Sequence, residues 1–355
     1  MPGIISARIR LGMSACVYAC PVRYNGKAFD ALGHLGREAS DYVVTPVCPE
    51  CLAGFGVPRE PIHLTGPGAA VLPGEAQVRD RHGHDVTARA VAGARAALDA
   101  LDRADVQAVV LKEASPSCGF AKARVGRKRT SETGAGVFGA MLLERGWFVI
   151  PDDAFASPLK WWDWRRRLHA WLWVKDRPLP DAAAVYDAWH VLKFVVQETD
   201  RPTADALGRE LASMGKRPSK ACIEGLRCRM MDALRKPSTP AKVRQALWKT
   251  YTFNRKHGRL DGVELHDLSP ESPEVLRNTG SVVRDLTAME RVSFENDLLF
   301  GTTPVLARDE RRVRARDERR AAEGASGAPA PRSAPAPKDD PGKRHARPGN
   351  NRKGR

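Results

Sequence analysis

Residues 106–119 read VQAVVLKEASPSCG. A mostly apolar run gives way to a polar, turn-forming stretch that ends at Cys118 and Gly119. A short, unbroken apolar run bounded by turn residues marks a strand buried on both faces. The layout recurs twice upstream. Residues 9–15 (IRLGMSA) run into Cys16, and residues 42–47 (YVVTPV) run into Cys48. Residues 147–150 (WFVI) form a fourth run, and helix-like segments at 85–104 and 134–145 fall between the strands. Strands alternating with helices predict an α/β domain with a parallel sheet covered on both faces. Sites in such sheets lie beyond the carboxyl ends of the strands. Cys16, Cys48 and Cys118 are therefore expected to meet there, although they are far apart in sequence.

The composition changes after about residue 157. All eight tryptophans lie between 147 and 248, and LKWWDWRRRLHAWLWVKDR (159–177) mixes several of them with arginine. Helical patterns follow at 183–198, 203–214, 219–234, 239–256 and about 272–299. The segment at 239 opens Thr-Pro, an N-cap followed by proline in the first turn. Three regions result: an α/β domain over 1–157, a second, mostly α-helical domain over 160–303, and a basic tail over 306–355. The tail is rich in Pro, Ala, Gly and Lys and has too little apolar surface to order itself.

The 355 residues carry a formal charge of +16, about half of it in the tail. Such a balance points to contact with polyanions, nucleic acid first, and as readily to a tail that aids solubility. No stretch approaches the ~20 apolar residues that span a bilayer. The start of the chain lacks a signal-peptide layout, so a cytoplasmic protein is expected. Seven cysteines in such a chain read as metal ligands, catalytic thiols or buried apolar residues before they read as a disulfide framework.

Spacing alone leaves two readings of those cysteines. Cys16-x3-Cys20 and Cys48-x2-Cys51 would make a four-thiolate zinc site in a noncatalytic, zinc-stabilised nucleic-acid-binding protein. That reading leaves Cys118 unexplained, and an α/β domain of this size folds without a metal staple. The other reading takes one cysteine from each strand end, in the contexts MSAC, VCPE and SPSCG.

Five stretches carry a resemblance. They are MSACVYACPVRYNGK (13–27), PVCPECLAGFGVPREP (46–61), DVT with AGA (85–87 and 92–94), LKEASPSCGF (111–120) and GAGVFGAMLLERG (134–146). In this order they resemble the TudS-like thiouracil desulfurases, over about residues 8–155. The resemblance implies a [4Fe-4S] cluster held by Cys16, Cys48 and Cys118, with one iron not ligated by protein. It further implies an iron–sulfur-dependent, non-redox desulfurase acting on a thiolated pyrimidine: thiouracil, its nucleotide, or thiouridine in tRNA. Thiolates are the usual protein ligands of iron–sulfur clusters. An open iron is a soft Lewis acid suited to a thiocarbonyl sulfur, which water's oxygen would replace.

That chemistry needs a group to move protons. A lone carboxylate is ordinarily a solvated surface group. Within the resemblance Glu50, two residues after Cys48, is the leading acid–base residue. Ser115 and Ser117 flank the last cysteine as catalytic candidates, and each also suits a turn; Ser14 is a weaker candidate of the same kind. Asn25-Gly26 is a turn signal at a position where the family usually carries Asp. Arg59 reads as a phosphate or ring contact, or as a surface salt bridge. Cys20 and Cys51 read as ordinary small residues near the site, or as thiols that stand in when the cluster is lost. Cys222 and Cys228 read as buried filler on a helix.

Some relatives carry an extra helical domain and are implicated in desulfurating tRNA. Here WWDWRRRLHAWLW, KVRQALWKTYTFNRK (242–256) and the basic tail offer arginines for phosphates and aromatics for bases. The spacing of Trp161, Trp164 and Leu168 favours core packing instead.

Overall fold

A computed structural model describes residues 8–256, apart from 32, 34, 36–38, 40, 127–131 and 216, together with 283–286 and 288–289. All of these lie in one compact unit, Met1–Glu310. The expected disordered tail over 306–355 and most of the helix expected at 272–299 fall outside the described residues.

The four apolar runs form one sheet. Its strands are β1 (Ile9–Ser14), β2 (Tyr42–Val47), β3 (Ala108–Leu111) and β4 (Phe148–Pro151). They are hydrogen-bonded in the order β2-β1-β3-β4, and every pair is parallel. The sheet therefore reverses its winding between β1 and β3, and at such a point a crevice opens beyond the carboxyl ends.

Side chains alternate between the two faces of a strand. Val109, Leu111 and Val149 pack with Ala94, Ala97, Leu98, Phe138 and Leu142. Those partners lie on α2 (Thr87–Arg103) and α3 (Val137–Glu144), which follow a single helical turn, α1 (Pro49–Leu52). The opposite face presents Ile9, Leu11, Met13, Val110, Phe148 and Ile150. It is covered by α4 (Pro158–Asp176), the tryptophan-rich run. Trp164 and Trp171 meet Phe148 at centroid distances of 5.9 and 5.7 Å, and Trp161 stacks on Phe155 at 4.8 Å. Trp161, Trp162, Trp164, Trp171 and Trp173 are all buried, so none offers a face to a nucleic-acid base. Two of the arginines among them are likewise occupied. Arg166 and Arg167 are buried and paired with Asp163, and Arg166 also pairs with Glu198. A buried cation is held only where such partners meet it. The suggestion that these tryptophans stack on RNA bases is corrected accordingly.

Four more helices follow: α5 (Ala182–Thr199), α6 (Arg201–Ser213), α7 (Lys220–Leu234) and α8 (Pro240–Lys256). Asp181, Asp200 and Ser219 cap the first three with side-chain oxygens, which satisfies amides left free at a helix start. The same core continues from β1 to Leu234 on α7. Cys222 on α7 is half-buried, and Cys228 is exposed, its thiol 3.7 Å from Glu224. The filler reading of Cys228 is thus wrong: six residues along a helix is a large rotation, and only the Ile223, Leu226 and Met230 side is buried. Among the described residues no helix is long and apolar enough to cross a membrane.

Candidate functional site

A cavity of about 660 Å³ opens at the carboxyl ends of the strands. Cys16 follows β1, Cys48 follows β2, Cys118 lies seven residues past the end of β3, and all three line it. Each is held by local structure. Cys48 is the N-cap of a single helical turn, Pro49–Leu52, with proline at its first position, where the missing N–H costs nothing. That turn carries Glu50. It is seated against Gly93 of α2, where an added Cβ would fall 2.3 Å from the Pro49 carbonyl oxygen. The AGA stretch is therefore a close helix–helix contact.

The Cys118 loop is gripped from two sides. The first amides of α3 donate outward: Gly136 to Gly119 O, Val137 to Pro116 O and Phe138 to Ser117 O, at 2.6, 3.1 and 2.9 Å. These donors have no partner within their own helix, so the helix start is spent on fixing the loop. A Cβ at Gly139 would fall 2.1 Å from Gly119 O. From the other side, Glu113 Oε1 accepts the amides of Ala121 and Lys122 at 3.0 and 2.5 Å. Ser115 Oγ accepts the amides of Ser117 and Cys118 at 3.3 and 3.1 Å, so its oxygen shapes the turn.

Ser117 does something different. Its hydroxyl donates to Glu50 Oε1 at 2.9 Å, and Arg59 Nε donates to Glu50 Oε2 at 2.6 Å. Arg59 Nη1 is anchored on the carbonyls of Val22 and Gly56 at 2.7 and 3.1 Å. Glu50, Ser115 and Arg59 line the cavity. The surface salt bridge considered for Arg59 is corrected to a half-buried one at the cavity wall, with side chains 5% and 14% exposed. Burial opposes the guanidinium charge and Glu50 outweighs it, so the Arg59 pKa is raised.

The three thiols share one electrostatic condition. Burial pushes Cys16 up to about 11, against the pull of Arg23 and Lys112. Burial likewise pushes Cys48 up to about 12 and Cys118 well above its ordinary value, the latter opposed by a Ser14 hydrogen bond. Ser14 Oγ also accepts the Lys112 amide at 2.9 Å. Buried thiols of this kind become anions by giving their protons up to metal.

The donor set fits an iron–sulfur cluster better than a single ion. Three thiols from three strand ends face one roomy cavity, as a cluster requires when each ligand holds a different iron. Among the described residues no group of three His, Cys, Asp or Glu side chains is arranged to hold one metal ion. The four-cysteine zinc arrangement is therefore not formed. Cys20 lies off the cavity wall, its thiol 3.8 Å from Tyr18 O. Cys51 sits beside Cys48, and the Arg59 guanidinium lies 3.9 and 4.0 Å from their sulfurs. Asn25 is a turn residue: its Oδ1 accepts the Lys27 amide at 3.2 Å, next to Gly26 at φ +68.

Arg23, Phe29, Lys112 and Arg124 also line the cavity. Arg23 and Lys112 both lie 4.7 Å from the centroid of the Phe29 ring, and Lys112 also pairs with Asp152. Arg23 and Arg124, both on the wall, have no carboxylate partner among the described residues. Sequence reasoning missed the Arg59–Glu50 pair and the Glu113 clamp. Nothing in their spacing announces either, though a lone Arg between prolines in VPREP was a usable signal.

Comparison with known proteins bears on the same stretch. Residues 11–154 match the family described as 2-thiouracil desulfurase. The chain is 35% identical over 143 residues to an uncharacterized protein, YbbK, of Bacillus subtilis (strain 168), spanning 40% of this chain and 94% of that one. It is 31% identical to a solved structure described as [4Fe-4S]-dependent thiouracil desulfidase TudS, covering 41% of this chain and 92% of that chain, with a TM-score of 0.34.

Proposed function

Because the chain belongs to the 2-thiouracil desulfurase family, we propose that it removes sulfur from a thiolated pyrimidine bound in the thiol cavity. One observation carries the reading: Cys16, Cys48, Cys118 and Glu50 line a single cavity. Cys16, Cys48 and Cys118 would hold a [4Fe-4S] cluster. When bound, it supplies a soft Lewis acid, with one iron free of protein ligand, for a thiocarbonyl sulfur. The net change is thiocarbonyl plus water to carbonyl plus hydrogen sulfide, with no electrons gained or lost.

Glu50 is the proton carrier in this account. Arg59 holds Oε2 and Ser117 holds Oε1, so the carboxylate is fixed against the wall and its lone pairs are limited to a few directions. It takes a proton from water and returns one to the ring nitrogen or the departing sulfur. Ser115 and Ser117 act as positioning residues, one for the Cys118 turn and one for Glu50. Arg23 and Arg124 favour a phosphorylated substrate over a free base, because guanidinium groups pair with phosphate oxygens. The tRNA substrate and a role for the helical region over 160–303 belong to the same proposal; a thiouridine within folded RNA would have to be flipped out to enter the cavity.

The test is sulfide release by anaerobically prepared protein from thiouracil, thiouridine monophosphate and thiolated tRNA. The nucleotide is expected to turn over faster than the free base. Absence of sulfide from all three, in protein replete with iron, refutes the reading.

A further inference from the structure

A second cavity, of about 870 Å³, lies at the other end of the sheet. Its wall includes Gln107, just before β3, and Trp147, just before β4. It therefore sits at the amino ends of the strands, and it shares no lining residue with the thiol cavity. The rest of the wall comes chiefly from the last turn of α4 and from α7.

Its charges are unevenly matched. Two of the cations are neutralised within the wall: Arg145 by Asp102 at 2.6 Å, and Arg227 by Glu224 at 3.0 Å. Arg235 pairs with Asp232, outside the wall, at 2.7 Å. Lys175 and Arg177 lie over the rings of Trp171 and Trp173, at 5.1 and 4.6 Å. Asp176 is the wall's remaining carboxylate.

Its donors are also in excess. Trp171 Nε1, Arg177 Nε and Arg235 Nε are buried, and none has an acceptor among the described residues. Trp171 is 2% exposed. Those atoms are closed off from the cavity, but Lys175 and Arg177, both at least partly exposed and without a carboxylate partner among the described residues, leave its wall with positive charge for an anion from outside the chain. Burial also holds the Arg235 guanidinium below its ordinary pKa, and Asp232 does not make up the difference.

We infer that this cavity binds a phosphate group carried by a nucleoside. Cations from the end of α4 suit an oxyanion, and the three terminal oxygens of a phosphate accept from more directions than the two of a carboxylate. The volume exceeds that of a lone phosphate and falls among sites for organic ligands, roughly 300–1,000 Å³. Half-buried Trp147 on the wall provides an aromatic surface for a base.

The test is calorimetric titration of the anaerobic, full-length holoprotein with inorganic phosphate, AMP and an oligoadenylate. A purine is used because it is not a product of pyrimidine desulfuration. AMP is expected to bind more tightly than phosphate. Arg177→Gln and Lys175→Gln should each weaken it about tenfold, while Arg23→Ala in the thiol cavity leaves it unchanged. Both altered side chains are at least partly exposed, and unchanged near-ultraviolet circular dichroism shows the fold retained. Tighter, steeply salt-dependent binding of the oligoadenylate identifies the source as a nucleic-acid chain; equal affinity identifies a free nucleotide. The site is overturned if none of the three binds by about 10 mM. It is overturned equally if binding ignores Arg177→Gln and Lys175→Gln, or follows Arg23→Ala instead.

Discussion

Arg59 and Glu50 form a half-buried ion pair, Nε to Oε2 at 2.6 Å, at the wall of the thiol cavity. Removing one partner of a pair so far withdrawn from water leaves a poorly compensated charge. Arg59→Ala should therefore cost more than a lost hydrogen bond. Sulfide release is expected to fall about 10²-fold or more. Arg59→Lys should recover only part of it, because a point charge lacks the guanidinium fork. Full activity in Arg59→Ala would show that Glu50 needs no such anchor.

Glu50→Gln separates proton transfer from metal binding. The amide keeps the shape and one oxygen for Ser117, carries no titratable acid, and leaves Arg59 without its counter-charge, a loss that Arg59→Ala measures separately. Iron content should match the wild type while sulfide release drops by roughly 10²–10⁴. A variant that turns over normally would remove Glu50 from the mechanism.

Gly139 tests the seating of the Cys118 loop. Its added Cβ would meet Gly119 O at 2.1 Å, and backbone cannot yield as a side-chain tip does. Gly139→Ala should lower stability by about 1–3 kcal/mol or more, read from the urea midpoint, and should reduce iron retention. A neutral substitution would mean that α3 can shift without disturbing the loop.

Asp200 gives the helical region a pH dependence. Bonds to Lys236 and Thr203 hold its carboxyl down at about 2, below the ~3.9 of an unfolded chain. A depressed folded pKa contributes stability that is complete above the unfolded value and is lost as pH falls through the folded one. Asp200→Ala should cost about 1 kcal/mol near neutral pH, as the loss of an N-cap does. The gap should shrink below about pH 4 and close near pH 2. A gap that is constant with pH would assign Asp200 no electrostatic role.

Much of the α/β layer was legible because its strands are short apolar runs punctuated by cysteine. β2 matches the expected residues 42–47, and the two helices between the strands differ from expectation mainly by frayed ends. The convergence of Cys16, Cys48 and Cys118 was legible from topology, since all three follow strands of one parallel sheet. What stayed hidden depends on distance in sequence. The Arg59–Glu50–Ser117 chain joins three segments, and nothing local in any of them reveals the others. The fate of the tryptophan run was ambiguous for a physical reason: an all-round apolar helix with arginines suits either a core or a ligand face. The sheet's second face, left open by α2 and α3, settled it.

The central claim is that three thiols from three strand ends hold an iron–sulfur cluster. Iron and acid-labile sulfide should be counted on the anaerobically purified chain and on Cys118→Ala. The account predicts about four of each per wild-type chain, with broad absorption near roughly 400 nm, and loss of both in the variant. Zinc without labile sulfide, or an iron content indifferent to Cys118→Ala, would contradict it.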